Sequence, residues 1–127
     1  NAVHGAGHNA VDFDYMAGGS SGGTAASVAL GMASAGLGTD TGGSSRIPAA
    51  LNGLVGFRPT TGRYPNSGIT MISNTRDTAG PITHTVADTI LMDKILSASS
   101  TPVPQVDLPG LRIGVPRKYF YENLQCL

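Results

Sequence analysis

The segment that decides the fold is a pair of glycine-serine loops joined by a run of small residues. The first loop reads Gly18-Gly-Ser-Ser-Gly-Gly23, and the second reads Gly38-Thr-Asp-Thr-Gly-Gly-Ser-Ser-Arg46. Glycine-rich turns can aim successive backbone N–H groups at one point and so form a concavity that binds an anion. A serine inside such a turn lies next to donors that can stabilise an oxyanion. These two loops are therefore predicted to carry the catalytic residues.

Ser20 and Ser44 are the candidate reactive residues of the two loops. Residues 24–33 are mostly small, which predicts a helix that is buried on nearly all sides. Loops joined by one compact helix can fold back on each other, so we expect the two hydroxyls to lie within hydrogen-bonding reach. A serine needs a base to act as a nucleophile, and the three histidines have no motif-like spacing to the loops. A hydroxyl relay that ends at a neutral lysine would supply that base.

The sequence beyond the loops alternates short strands with helices. Residues 37–39 and 54–57 are predicted to form short buried strands. Ser45 is a predicted helix N-cap, with Pro48 at an early helical position where a missing N–H group costs little. Residues 60–82 contain turn-forming residues and scattered apolar positions, which indicates irregular structure.

The clearest predicted helix covers residues 86–97. Thr85 is the expected N-cap, and Asp88 follows three residues later in a capping-box-like pair. Apolar residues at helical spacing are predicted to face the core; these are Val86, Ala87, Ile90, Leu91 and Ile95. Residues 98–109 are predicted to be a linker, and the alternation over residues 111–115 predicts a strand.

The composition excludes several classes of protein. The chain has 127 residues, of which 40% are hydrophobic, enough for one packed domain or part of one. Eight basic and eight acidic residues give a formal net charge of zero, which argues against nucleic-acid binding. The sequence contains no run of 18 apolar residues, so no transmembrane helix is predicted. The single cysteine, Cys126, cannot form an internal disulfide, so a reducing, cytoplasmic location is expected.

The run from Ala17 to Thr60 resembles the defining stretch of the amidase signature family. In that family a Gly-Gly-Ser-Ser-Gly-Gly loop and a small-residue helix precede Gly-Thr-Asp-Thr-Gly-Gly-Ser, an Arg and a Pro. A Gly-apolar-(Lys/Arg)-Pro-Thr segment follows. The matching parts here are Gly18–Gly23, Gly38–Ser44, Arg46, Pro48 and Gly56–Thr60. The two central serines are 24 positions apart, as in the family, and the resemblance continues through residues 110–116.

The resemblance implies an α/β fold, the twisted mixed β-sheet flanked by helices of the amidase signature family. Residues 1–127 would form the central part of a single domain. The family's catalytic lysine lies upstream of the first loop, and neither Lys94 nor Lys118 is at the matching position. A segment with the lysine and a C-terminal remainder are therefore expected outside these residues, and this chain alone is expected to lack activity.

The resemblance also assigns the chemical roles. Ser44 would attack the amide carbonyl and carry the acyl group. Ser20, whose preceding peptide bond is cis in the family, would pass a proton between Ser44 and the lysine. The oxyanion hole would consist of the backbone N–H groups of Thr41, Gly42, Gly43 and Ser44.

Three further residues would support the two loops. Asp40 and Arg46 resemble the family's buried pair that holds the second loop, and Ser21 would hydrogen-bond locally beside Ser20. Ser45 departs from the family pattern, which usually has an apolar residue there.

The implied reaction is hydrolysis of a carboxamide to a carboxylic acid and ammonia, with no metal or organic cofactor. Residues 61–65 and 75–81 are similar to the arylacetamide-type hydrolases of the family, such as indoleacetamide and mandelamide hydrolases. A small aryl- or alkyl-acetamide is therefore the expected substrate. The other expected partner is the remainder of the amidase chain. A homodimer is compatible with this interpretation, and neither a nucleic acid nor a membrane is expected to bind.

Three alternative interpretations stay open at this point. The chain could belong to the A subunit of a glutamine-dependent tRNA amidotransferase, which passes ammonia to a partner. It could also be a catalytically incomplete fragment with a structural role. Finally, Gly18–Gly22 matches the nucleophile elbow of α/β-hydrolases, with Asp77 or Asp88 and His84 as partners. An elbow needs a hydrophobic strand before it, and residues 11–15 are a poor one.

Overall fold

The computed structural model of the protein describes residues 3–104, 106–115 and 117. In chain order the elements are α1 (Gly22–Ala29), β1 (Ala35–Asp40), α2 (Arg46–Leu51), β2 (Val55–Gly56), β3 (Thr78–Thr83) and α3 (Val86–Ser97). The combination of helices with a sheet confirms the predicted α/β class. No helix within the described part of the chain is long and apolar enough to span a lipid bilayer.

The three strands form one antiparallel sheet with β3 in its centre. The strand order is β1-β3-β2, and the register pairs Gly38 with Gly80 and Val55 with Thr83. The prediction of irregular structure over residues 60–82 is therefore wrong for β3. Local propensity disfavours a central strand that contains Gly80 and Pro81, but pairing on both sides and burial of most of the strand override it.

Small residues allow the first two helices to approach the sheet closely. Ala25 of α1, Ala49 of α2 and Ile82 of β3 are fully buried and form the core. A Cβ atom on Gly56 would lie 2.6 Å from the Cβ atom of Ala49, so a larger residue does not fit there. Only one face of α1 is buried, which corrects the prediction of a helix buried on nearly all sides.

The start of α3 agrees with the sequence pattern, whereas its packing does not. The Thr85 hydroxyl accepts a hydrogen bond from the Asp88 backbone N–H at 3.1 Å, which confirms the predicted N-cap. The stripe predicted to face the core is largely exposed, with Leu91 at 58% and Ile95 at 65%. Thr89 is the buried residue of the helix. In the described part of the chain, β3 packs against the face of α3 that carries Thr89, and no element covers the apolar stripe.

An ion pair ties the long connection before β3 to α3. The Arg63 guanidinium donates two hydrogen bonds to the Asp93 carboxylate, at 2.7 and 2.6 Å, and the Tyr64 hydroxyl donates a third at 2.7 Å. Burial raises the pKa of Tyr64, and the hydrogen bond to Asp93 raises it further. This contact fixes one end of the segment that later borders the site.

Two further expectations need correction. Ser45 precedes α2 as predicted, but its side chain makes no capping hydrogen bond. Its backbone N–H instead donates to Asp40, so the carboxylate organises this helix start. Residues 111–115 form no strand, because none of the described strands pairs with them.

Candidate active site

The two glycine-serine loops lie side by side. The backbone N–H of Ser21 donates a hydrogen bond of 3.1 Å to the carbonyl oxygen of Ser44. Ser21 immediately precedes α1, and Ser44 lies two residues before α2. Ser20 and Ser44 therefore lie close to neighbouring helix starts. The described residues show no hydrogen bond between the Ser20 and Ser44 hydroxyls, so the expected contact between them stays a prediction.

The first loop adopts backbone conformations that glycine favours. The peptide bond between Gly19 and Ser20 is cis, as the family resemblance implies. Gly18 has a φ of +78°, and a Cβ atom there would lie 3.1 Å from the Cα atom of Pro48. The first loop thus rests directly on α2. Ser20 is exposed, whereas Ser44 is half-buried.

Ser21 holds the first loop against β1. Its hydroxyl accepts a hydrogen bond from the Thr39 N–H at 3.2 Å and donates to the Thr39 carbonyl oxygen at 3.5 Å. A Cβ atom on Gly38 would lie 2.5 Å from the Ser21 hydroxyl oxygen and 2.6 Å from that of Ser45. The glycine at position 38 therefore makes room for both hydroxyls.

Asp40 is the organising residue of the second loop. Its fully buried carboxylate accepts hydrogen bonds from the backbone N–H groups of Gly43, at 2.8 Å, and Ser45, at 3.3 Å. The Arg46 guanidinium donates through Nε at 3.0 Å and Nη2 at 3.2 Å. The predicted Asp40–Arg46 pair is thus present. Arg58 adds a second guanidinium at 3.1 Å.

These donors keep the Asp40 carboxylate ionised. Burial raises the pKa of Asp40, but the hydrogen bonds from Arg46, Gly43 and Ser45 outweigh it and lower the pKa to about 2. The negative charge is therefore fixed under the loop at neutral pH.

We expect Asp40→Asn to lower the free energy of unfolding of the intact protein by about 3–5 kcal/mol, the usual cost of breaking a buried ion pair. The NH2 group of the asparagine would lie next to N–H donors with which it cannot form hydrogen bonds, and the charge that pairs with Arg46 would be lost. Urea unfolding measures the loss, with Asp14→Asn as the control because Asp14 is exposed. An Asp40→Asn protein as stable as the control would remove Asp40 from this role.

The same carboxylate gives stability a predictable pH dependence. The pKa of Asp40 is lower in the folded protein than the ordinary value of 3.8. Its contribution is therefore complete above about pH 4 and is lost as the pH falls toward about 2. Asp40→Asn should flatten this part of the stability curve.

The contacts of Asp40 correct the predicted oxyanion hole. The Gly43 N–H donates to the carboxylate, so it is not available to a substrate oxygen. Among the described residues, the N–H groups of Thr41, Gly42 and Ser44 have no hydrogen-bond acceptor. Three of the four predicted donors therefore stay available.

Two residues to which the amidase resemblance assigned no role, Asp77 and Arg58, also brace the second loop. Asp77, only 2% exposed, accepts a hydrogen bond of 2.5 Å from the Thr41 hydroxyl. Arg58 donates to Asp40 and also to the Arg76 carbonyl oxygen, at 2.6 Å. Both lie in motifs that carry the family resemblance, at 56–60 and 75–81, and that was the available signal.

A pocket of about 370 Å³ borders the first loop. Its lining combines hydroxyl groups with apolar side chains and comprises Ser20, Ser21, Thr24, Leu37, Gly38, Thr39, Ile69 and Ala79. A small, partly apolar group could bind there next to Ser20.

The nucleophile-elbow alternative finds no support in this geometry. Residues 11–15 form turns and bends rather than a strand, and the pairing between His8 and Met16 is an isolated bridge. His84 is exposed, and Asp77 is engaged by Thr41. The described residues therefore show no strand–serine–helix arrangement at the first loop.

Residues 1–126 match the sequence profile of the family described as Amidase. The chain belongs to the amidase family. It is 52% identical over 126 residues to the indoleacetamide hydrolase of Rhizobium radiobacter, a match that covers 99% of the chain and 27% of that enzyme. It is 53% identical over 108 residues to the mandelamide hydrolase of Pseudomonas putida, with 84% of the chain and 21% of that enzyme covered.

A solved structure described as a crystal structure of amidase is similar to this amidase chain, with a TM-score of 0.75 and 52% identity. The match covers 78% of the chain and 23% of that protein. These findings confirm the resemblance to the amidase signature family. The chain spans about a quarter of the length of the relatives that it matches.

Proposed function

We propose that the intact protein hydrolyses a carboxamide through a serine acyl-enzyme, with Ser44 as the nucleophile. The observation that carries this proposal is the hydrogen bond from the Ser21 N–H to the Ser44 carbonyl, which brings the two loops together. The N–H groups of Thr41, Gly42 and Ser44, for which the described residues provide no acceptor, support it, since a nucleophile of this kind needs oxyanion donors beside it.

The reaction would run in two stages. The Ser44 hydroxyl oxygen bonds to the amide carbonyl carbon while its proton passes to Ser20 and on to a neutral lysine. The N–H groups of Thr41, Gly42 and Ser44 receive the oxyanion. The carbon–nitrogen bond then breaks, and the nitrogen takes a proton and leaves as ammonia. Water next attacks the carbonyl carbon of the acyl ester and gives one of its protons to the relay. The ester carbon–oxygen bond breaks, the relay passes that proton to the Ser44 oxygen, and the carboxylic acid is released.

The lysine of this relay would come from outside residues 1–127. Lys94 lines a separate pocket with Arg63 and Asp93, away from the first loop, and Lys118 lies outside the described residues. An upstream lysine is what the family resemblance implies. Residues 1–127 alone should therefore not react with a fluorophosphonate probe, whereas the intact protein should.

A small arylacetamide is the proposed substrate class. The relatives at 52% and 53% identity are named for indoleacetamide and mandelamide, both amides that carry an aromatic group. The pocket beside Ser20 has apolar surface from Leu37, Ile69 and Ala79, which suits such a group.

Ammonia release tests the proposed activity. We expect the intact protein to convert indoleacetamide or mandelamide to the acid and one equivalent of ammonia, without any added partner protein. Both products are measured, by chromatography and by a coupled ammonia assay. An intact protein that leaves every arylacetamide unchanged but releases ammonia from glutamine with a copurifying partner would instead support the amidotransferase alternative.

A further inference from the structure

Asp77 is a second buried carboxylate that holds the Ser44 loop, and it lies far from that loop in the sequence. It accepts hydrogen bonds from the Thr41 hydroxyl at 2.5 Å and from the N–H groups of Ile72, at 2.5 Å, and Ser73, at 2.9 Å. The carboxylate therefore joins the loop that follows β1 to the turn that precedes β3.

Thr41 is held on two sides. Its neighbour Asp40 ends β1 and pairs with Thr78 of β3. Its own hydroxyl is bound by Asp77, while its N–H has no acceptor among the described residues. A residue fixed through both its chain neighbour and its side chain has little freedom to turn its peptide group.

Arg58 links the Asp40 carboxylate to the backbone next to Asp77. Its Nη1 group lies 3.1 Å from the Asp40 carboxylate, and its Nη2 group donates to the carbonyl oxygen of Arg76, next to Asp77. The loop from Thr41 to Ser44 is thus hydrogen-bonded to two carboxylates, those of Asp40 and Asp77, which are both almost completely buried. Within the described part of the chain, the hydrogen bond from the Thr41 hydroxyl is the only one that joins that loop to the Asp77 carboxylate.

We propose that Asp77 is a positioning residue for amide hydrolysis: through the Thr41 hydroxyl it sets the direction of the Thr41 N–H at the oxyanion. This inference rests on the proposed function. Oxyanion donors are effective because they are fixed before the charge develops. Loosening one donor should therefore weaken binding of the transition state more than binding of the substrate.

Thr41→Val in the intact enzyme tests the link, since valine keeps the shape and removes the hydroxyl. We expect kcat to fall by about 10- to 100-fold, the scale of a misplaced catalytic group, while KM stays within about threefold. Thr41→Ser, which retains the hydroxyl, should recover most of the lost rate. Thr70→Val is the matched control because Thr70 is exposed in the same connection.

An aldehyde analogue of the substrate provides a second readout. It forms a tetrahedral adduct with the serine, so its affinity should fall in parallel with kcat, whereas affinity for the unreactive acid product should not change. A Thr41→Val enzyme with the kcat and aldehyde affinity of the wild type would overturn the inference. So would equal weakening of aldehyde and acid.

Asp77→Asn keeps the inference testable if Thr41→Val does not fold. The Asp77 carboxylate uses one oxygen for the Thr41 hydroxyl and the other for the Ile72 and Ser73 N–H groups. The asparagine amide has only one acceptor oxygen, so it cannot bind both sets of donors, and we expect the same selective loss of kcat. Ser44-dependent fluorophosphonate labelling of the wild-type enzyme is measured in parallel. Its absence would count against the proposed function, whereas its presence together with unchanged Asp77→Asn kinetics would count against the positioning role alone.

Discussion

Replacing Ser44 by alanine should reduce kcat/KM for an arylacetamide by at least about 10,000-fold in the intact enzyme, the scale seen when a serine nucleophile is removed. The loop itself should keep its shape, because its hydrogen bonds to Asp40 come from backbone N–H groups and Arg46 rather than from the Ser44 hydroxyl. Steady-state assays of ammonia release measure the effect.

Ser45 supplies a control for Ser44 from the adjacent position. Its hydroxyl is buried and has no hydrogen-bond partner in the described part of the chain. Removing a buried hydroxyl of this kind leaves no group unsatisfied, so Ser45→Ala should retain activity and full stability. Equal losses in Ser44→Ala and Ser45→Ala would show that the loop tolerates no change, and the nucleophile would then lack support.

Replacing Ser20 by alanine should reduce kcat by about 100- to 10,000-fold, the range for loss of a proton-transfer group. Ser20 is exposed, and its hydroxyl has no hydrogen-bond partner among the described residues, so folding should not suffer. Kinetics and thermal unfolding of the same preparations separate the two effects. Ser34→Ala, at another exposed serine, is the control.

Ser20→Ala and Ser44→Ala should differ in their reaction with a fluorophosphonate. Without Ser20 the nucleophile is still present, so labelling should become slower. Without Ser44 it should stop. Unchanged turnover in Ser20→Ala would remove Ser20 from the relay, even if Ser44 kept its role.

Local patterns were sufficient wherever the structure is decided by neighbours in the sequence. The Thr85–Asp88 pair predicted the start of α3, and the glycine-serine motifs predicted two loops that fold back on each other, as the hydrogen bond from the Ser21 N–H to the Ser44 carbonyl oxygen shows. The Asp40–Arg46 pair spans only six positions. Each of these contacts forms within one turn or between two loops joined by a single short helix and strand.

Contacts between distant segments could not be predicted in the same way. β3 contains Gly80 and Pro81, which carry no strand signal, and its pairing with β1 depends on the whole connection between them. The hydrogen bond between Thr41 and Asp77 spans 36 positions. The direction of the Gly43 N–H depends on where the Asp40 carboxylate turns, so the sequence could not show that this donor is already bound.

The exposure of the apolar stripe on α3 also depends on contacts between distant segments, so the sequence did not predict it. Helical spacing identifies Leu91 and Ile95 as one apolar face, but spacing does not reveal which element covers that face. In the described residues α3 contacts β3 through Thr89, whose hydroxyl lies 2.7 Å from that of Thr83. A polar contact therefore takes the place expected for the apolar stripe.

The position of a covalent adduct tests most directly whether Ser44 is the nucleophile. The intact enzyme is labelled with a fluorophosphonate, digested, and analysed by tandem mass spectrometry. The phosphonate should be found on Ser44, in the peptide that contains Gly42 and Gly43. A phosphonate on Ser20 or on another residue, with Ser44 unmodified, would contradict the proposed mechanism.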